Sequence, residues 1–351
     1  MKIFVIREDG ERRVALTPEI CQKVIDAGFE VTVADGMDHG IKEADIVVSI
    51  NPPLAESIRL MKKGAFSIAM QKPHLNKGNL KLFAEMGISA FALDMIPRTT
   101  RAQYMDVLSS QSSLAGYRAV IEAAHMLDRA FPMMMTTAGT IPATKVFIAG
   151  AGVAGLQAIA TAKRLGAIVH AFDVRASAKE QVQSLGAKFV DIDEEKATDG
   201  VYATEMSDDY KKRQEEKITN IIHQYDVIIT TAQIPFKKAP IIITKGMVGL
   251  MKSDSIIIDL ASETGGNCEL TKHGDVVVSG NNVKIVSFPN ILSGIASDAS
   301  KLFAKNVYEF ITLLLDKFDK TQAVTEIDDE IIAGTLLTHN FEIVNERFRG
   351  D

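Results

Sequence analysis

Gly150-Ala151-Gly152-Val153-Ala154-Gly155 lies between a short apolar run and a stretch with helical spacing. A GxGxxG alone says little, because a glycine-rich turn also occurs in α/β folds that bind nothing. Here the surroundings meet the requirements of dinucleotide binding: a strand pattern at Lys145–Ala149, a helix pattern at Leu156–Leu165, and a second strand pattern at Ile168–Phe172 that ends in Asp173. Gly150 allows the tight turn, Gly152 lets the backbone approach a pyrophosphate, and Gly155 permits close helix–sheet packing. The helix start offers N–H groups and a positive dipole end to the phosphates. Asp173, 18 residues beyond Gly155, is near the separation of about 20 at which an acid meets the ribose 2′-hydroxyl. It would repel a 2′-phosphate, so NAD(H) is favoured over NADP(H). Arg175 is the one nearby group able to receive that phosphate.

A second polar segment runs from Met95 to Ser112, after the last strand pattern of the first hundred residues. It is dense in hydrogen-bonding side chains and holds no His, Cys or Lys. Loops after strand C-termini in parallel sheets build ligand clefts. Arg98 or Arg101 could hold a pyrophosphate or pair with Asp106, and Gln103 and Ser109 could orient a carboxamide. A solvated loop capped by Ser and Asp fits the same residues equally well. The charged segment Arg7–Pro18 reads as a solvated turn, and residues 191–217 as a long polar connection.

These candidates must be carried by an α/β scaffold. Strand patterns at Lys2–Ile6, Glu30–Val33, Asp45–Ile50, Phe66–Met70 and Ala90–Ala92 alternate with helix patterns at Pro18–Ala27, Leu54–Met61 and Leu80–Met86. Thr17-Pro18-Glu19 gives a hydroxyl cap, a proline at the first helical position and an acid in the first turn. A long helix is expected over 110–130. Met133-Met134-Met135 then reads as flexible core filling at a domain junction rather than a ligand surface. The second alternation continues through Val227–Thr231, Ile256–Leu260, Val276–Val278 and Lys284–Val286, and a helix from Ser300 to Leu315 carries the chain back. The expected fold is two Rossmann-like α/β domains with parallel sheets and an NAD site in the cleft between them. Residues 1–115 plus 300–351 form the discontinuous first domain and 116–299 the NAD-binding domain. The last thirty residues show little periodicity.

The composition agrees with a globular protein: 351 residues, 46% apolar, 24% charged, net charge −6. A mildly acidic chain without a basic stripe is a poor nucleic-acid partner. Cys21 and Cys268 form no CxxC, so neither a zinc site nor a disulfide framework is indicated, and a reduced, cytosolic setting fits. No apolar run approaches the roughly 18 residues of a membrane span.

Arg13-Val14-Ala15-Leu16-Thr17-Pro18 resembles the signature of the alanine dehydrogenase and nicotinamide nucleotide transhydrogenase superfamily. Met95 through Tyr117, the Gly150–Gly155 fingerprint, Asp173-Val174-Arg175, Asp259-Leu260-Ala261 and Gly265-Gly266-Asn267 resemble the NAD(H)-binding component of the proton-translocating transhydrogenases. The resemblance spans nearly the whole chain. It implies that Arg98, Gln103, Asp106 and Ser109 position the dihydronicotinamide, with Thr99, Thr100, Arg101, Tyr104 and Met105 as neighbours. It further implies that Val153, Ala154 and Gly155 meet the phosphates and that Asp173, Val174 and Arg175 meet the adenosine ribose. Val201, Tyr202 and Met206 match a mobile loop that closes over the nucleotide, and Gln214 and Gln233 match further contacts. Val201 departs from the glycine usual in the family.

Chemistry separates the two relatives. An alanine dehydrogenase must move protons and needs a Lys and a His in the first domain. Those family positions fall on Asn51-Pro52-Pro53 and Ile68-Ala69-Met70-Gln71, which hold neither. Lys72 and His74 lie close by, in what reads as a solvated turn, and keep an amino-acid dehydrogenase as the alternative. A NAD-sensing module without redox activity is a second. Moving a hydride between two nicotinamides needs aligned rings and no acid or base. The expected activity is therefore NADH to NADP+ hydride transfer. The resemblance implies NADP(H) on a beta-type partner subunit, a membrane-embedded partner that couples the transfer to proton translocation, a homodimer, and a cytoplasmic position at the inner membrane through those partners. The chain reads as the free, separate alpha-type form.

Overall fold

A computed structural model of the chain describes residues 1–191, 207–317 and 329–349. The first stretch holds β1 (Lys2–Arg7), α1 (Pro18–Asp26), β2 (Glu30–Asp35), β3 (Ile46–Val48), α2 (Ala55–Leu60), β4 (Phe66–Ala69), α3 (Lys77–Glu85), β5 (Ser89–Ala92) and α4 (Val107–Met126). Then come β6 (Met134–Thr136), β7 (Gly139–Ile141), β8 (Lys145–Ala149), α5 (Val153–Arg164), β9 (Ile168–Phe172), α6 (Ser177–Ser184) and β10 (Lys188–Phe189). They are followed by α7 (Asp208–Ile222), β11 (Val227–Thr230), α8 (Lys245–Leu250), β12 (Ile256–Asp259), β13 (Val276–Val278) and β14 (Lys284–Val286). The chain closes with α9 (Ala296–Lys317), α10 (Glu330–Thr335), β15 (Leu336–His339) and β16 (Glu342–Ile343).

Two compact units result: Met1–Gln111 with Ile295–Asp351, and Ser112–Gly294. The first unit's sheet has the order β16-β15-β5-β4-β3-β1-β2, parallel from β5 through β2, with β15 and β16 antiparallel at one edge. Counting its parallel strands gives 2-1-3-4-5, the flavodoxin-like winding. Its strands alternate side chains between two layers. Ile3 and Val5 pack with Phe303, Val307 and Phe310 of α9, while Phe4 and Ile6 face the layer of Leu80 and Phe83 from α3. Helix α1 starts as its residues dictate, with Thr17 accepting from the Ile20 N–H and Pro18 at the first helical position.

The second unit's sheet runs β10-β9-β8-β11-β12-β14-β13, parallel except for β13. Its parallel strands read 3-2-1-4-5-6, the dinucleotide-binding order, with the switch point between β8 and β11. Val146, Ile148, Val227 and Ile229 pack against α4 and α5 (Ala119, Val120, Ala158, Ile159). Phe147 and Ile228 pack against α7 and α8 (Ile218, Ile222, Met247, Val248). Central strands buried on both faces explain the unbroken apolar runs.

Three expectations are corrected. Met133, Met134 and Met135 are 61%, 44% and 77% exposed; they flank and build the two-stranded β6–β7 hairpin, outside both large sheets. The polar stretch 191–217 is partly helical: Ser207 caps α7 by accepting from Tyr210, two acids occupy its first turn, and Tyr210, Ile218 and Ile222 bury one face. The final residues, which lack periodicity, still supply α10 and two strands, because β15 completes the sheet edge against β5. Among the described residues no helix is long and apolar enough to cross a membrane.

Candidate functional site

In the second unit the glycine fingerprint sits at the switch point. Gly150 has φ +99°, and a side chain there would meet Thr231 at 2.8 Å. A Cβ on Gly155 would lie 1.9 Å from the Gly150 carbonyl oxygen, so only glycine lets α5 approach the turn. Gly152 faces open space, which leaves room for a ligand at the helix start. Val153 and Ala154 open α5, and first-turn N–H groups of a helix have no intrahelical acceptor. Thr231 ties the neighbouring strand end to this turn, its hydroxyl donating to Gly150 O at 3.0 Å.

Asp173 follows β9 and is tightly held. It accepts from the Ala151 N–H at 2.7 Å and from the Arg175 N–H at 2.9 Å. The Arg175 guanidinium adds bonds of 2.9 and 3.0 Å. That hydrogen bond, outweighing partial burial, raises the guanidinium's pKa. The cation able to attract a 2′-phosphate is thus engaged by the acid that repels one. Val174 is half-buried between them. Gln214 is half-buried on α7, and Gln233 is exposed after β11.

Sequence reasoning did not find what fixes the Gln233 loop. Asn267 is fully buried. Its Oδ1 accepts from Ala232 N–H at 3.0 Å, and its Nδ2 donates to the carbonyls of Ala232 and Pro240 at 2.9 and 2.8 Å. Asn267 is set in turn by Asp259, buried at the end of β12, which accepts from the N–H groups of Ala261, Asn267 and Cys268 and from the Thr271 hydroxyl. The polar glycine motif is therefore a brace for the loops at the strand ends.

In the first unit the polar loop follows β5. A 3₁₀ turn, Thr100–Met105, leads into α4. Ala102, Met105 and Val107 are buried in the core with α9, whereas Arg98, Thr100, Arg101, Gln103 and Tyr104 are exposed and Thr99 is half-buried. Asp106 and Ser109 meet: the Ser109 hydroxyl donates to Asp106 at 2.5 Å and its N–H at 2.9 Å, so Asp106 caps the start of α4. The open alternatives for Arg101 close differently from both suggestions. It forms a bidentate pair with Asp329, at 2.7 and 3.0 Å. Asn306 of α9 donates to the Tyr104 carbonyl and accepts from the Ser110 hydroxyl.

The segment Arg7–Pro18 is not a solvated turn. Arg13 and Glu11 form a buried ion pair at 2.7 Å, and Arg13 also donates to Gln111 at 2.9 Å. Glu8 accepts from the N–H groups of Ile50 and Asn51 and from the Asn51 side chain. Burial raises its pKa against those hydrogen bonds. The turn with Lys72 and His74 also differs from expectation, since both residues are half-buried. Lys72 adopts φ +44°, and its N–H donates to Asp94 at 3.1 Å. Burial pushes the Asp94 carboxyl up to about 6. Val201, Tyr202 and Met206 lie outside the described residues.

Comparison with known proteins follows this geometry. The family "Alanine dehydrogenase/PNT, N-terminal domain" matches residues 34–115, and its C-terminal domain matches residues 119–346. The chain is 44% identical to an NAD(P) transhydrogenase alpha subunit of Rhodospirillum rubrum, over 100% of this chain and 99% of that one. It superposes on the crystal structure of transhydrogenase from Sinorhizobium meliloti with a TM-score of 0.84 and 39% identity, covering 99% of this chain and 100% of that one. "Alanine dehydrogenase 1" of Staphylococcus aureus (strain MW2) is similar at 25% identity, over 99% of this chain and 95% of that one.

Proposed function

The chain belongs to the alanine dehydrogenase/PNT family, on its transhydrogenase alpha-subunit branch, and we propose that it binds NADH and delivers the C4 hydride directly to NADP+ held by a beta-type partner subunit. The observation that carries this reading is the chemistry of the polar loop. Residues 95–112 offer Arg98, Gln103, Asp106 and Ser109 and no Lys, His or Cys. Hydride transfer moves a hydrogen with two electrons from C4 of one nicotinamide to C4 of the other, and no proton enters or leaves. A loop able to orient a carboxamide and a ring is sufficient, because the rate depends on near-attack geometry.

The fingerprint supports the nucleotide half of this reading. Its helix start would take the pyrophosphate, and the ribose acid would favour NAD(H). Asn51 speaks against an alanine dehydrogenase: where that enzyme needs an amine, this chain has a carboxamide bonded to Glu8 at 2.8 Å. Lys72 and His74 are the groups through which an amino-acid dehydrogenase would have to work.

The partners follow from the branch. A membrane-embedded subunit would couple transfer to proton translocation, and this chain would sit at the cytoplasmic face of the inner membrane through it. The exposed methionine hairpin supports a homodimer. The test is reconstitution with the NADP(H)-binding and membrane components. NADH should bind well and NADPH poorly, and the complex should reduce an NADP+ analogue. Formation of alanine from pyruvate, ammonia and NADH, abolished by replacing Lys72 and His74, would refute the reading.

A further inference from the structure

Asn306 stands in the middle of α9, 8% exposed. Asparagine is a poor helix-interior residue, and a buried carboxamide is costly unless both ends are bonded. Both ends are used, and both partners lie far away in sequence. Nδ2 donates to the Tyr104 carbonyl at 2.6 Å, where the 3₁₀ turn ends. Oδ1 accepts from the Ser110 hydroxyl at 2.7 Å, in the first turn of α4. The bracketed residues, Met105 to Ser109, include Asp106 and Ser109. Met105 and Val107 lie in the same core as Phe303 and Val307 of α9. Gln111 adds a parallel tie, its side chain donating to Ala299 O at 3.1 Å. One face of α9 thus grips the inner side of the loop and leaves Gln103 and Tyr104 outward.

We propose that Asn306 is a positioning residue for hydride transfer, a clasp that fixes the turn carrying Gln103, Asp106 and Ser109 to α9. This rests on the proposed function, in which that turn orients the dihydronicotinamide. The clasp touches no substrate; it acts through the loop's backbone and the start of α4. A displacement of about 1 Å at such a support is able to cost about a hundredfold in rate.

The experiment uses the complex reconstituted with the NADP(H)-binding partner, comparing wild type, Asn306→Leu and Asn306→Asp. Asn306→Leu keeps the volume and loses both bonds. Its single-turnover hydride transfer should fall at least about tenfold, with the NADH Kd changed by less than about threefold. Asn306→Asp carries the sharper signature. As a carboxylate it sets an anion against the Tyr104 carbonyl and should be slow. Protonated, it is isosteric with the amide, donating to Tyr104 and accepting from Ser110, so its rate should recover as the pH is lowered. Wild type and Asn306→Leu should show no such recovery.

A merely structural residue would lower thermal stability without this pH profile and without splitting rate from binding. Wild-type rates in a folded Asn306→Leu protein, or equal losses of rate and binding, would overturn the proposal. Should Asn306→Leu fail to fold, Ser110→Ala removes one bond and should give an intermediate loss of rate; an unchanged rate overturns the proposal. Wild-type turnover tests the function separately. If the wild-type complex transfers nothing, that reading falls, and the clasp is decided by amide exchange over residues 103–110. Asn306→Leu must accelerate that exchange, and unchanged protection ends the proposal.

Discussion

Asp173 and Arg175 form a closed pair in which each neutralises the other's effect on a ribose phosphate. Asp173→Asn weakens that pairing and leaves a cation at the end of β9. The expected outcome is a shift of about tenfold in the NADH to NADPH affinity ratio toward NADPH, read by fluorescence titration with both nucleotides. An unchanged ratio would remove Asp173 from selectivity. Asp94 presents the opposite situation, a carboxyl with one buried oxygen that has no hydrogen-bond partner. Burial lifts its folded pKa to about 6, so its stabilising contribution is complete below the ordinary carboxyl range and is lost as pH rises through about 6. Asp94→Asn should therefore be more stable than wild type at pH about 8, by on the order of 2 kcal/mol, and equal to it below pH about 4. Denaturant melts at both pH values check the sign. The fingerprint and Asp173 were legible in the sequence because their meaning is local: turn, helix start and next strand lie within one βαβ unit. Asn306 and Asp329 were not, because their partners stand 202 and 228 residues away. The only local sign was a polar residue inside an apolar helix face.

Among the elements, the strands of both sheets could be read to within one or two residues, since buried parallel strands are short apolar runs between turn residues. The β6–β7 hairpin, α6, α8 and the terminal strands escaped, being too short for periodicity to register. α10 depends on its cap. Asp329 accepts from the N–H groups of Ile331 and Ile332 as well as from Arg101. Burial alone would raise its carboxyl, but these donors outweigh it and hold the pKa below the ordinary range. Such a group contributes stability above its unfolded pKa and loses it as pH falls through the lowered folded value. Asp329→Ala should cost about 1–2 kcal/mol at neutral pH, and the difference from wild type should shrink below pH about 4. Urea melts across that range test it; a gap that widens in acid would contradict the assignment.

For the whole molecule, the exposed hairpin stands out. A two-stranded ribbon is marginal in water unless something covers it, and this one presents Met133, Met134, Met135 and Ile141 to solvent. A second copy of the chain is the proposed cover. Met133→Glu with Met135→Glu should convert the dimer to monomer in analytical ultracentrifugation, with NADH binding unchanged. A wild-type monomer, or a dimer that survives both changes, would exclude the hairpin as the contact. The composition could announce neither the arm nor its exposure, because methionine suits a core and an interface equally well.

The first unit draws its core from both ends of the polypeptide: Ile3 and Val5 pack with Phe303, Phe310 and Leu336. The second unit is one uninterrupted stretch. On the ribosome the latter has all its strands in hand while the former still waits for its closing helix and edge. The nascent amino-terminal half must therefore remain unfinished, with an apolar sheet face in need of shelter by a chaperone, until translation has delivered the final helix and strands.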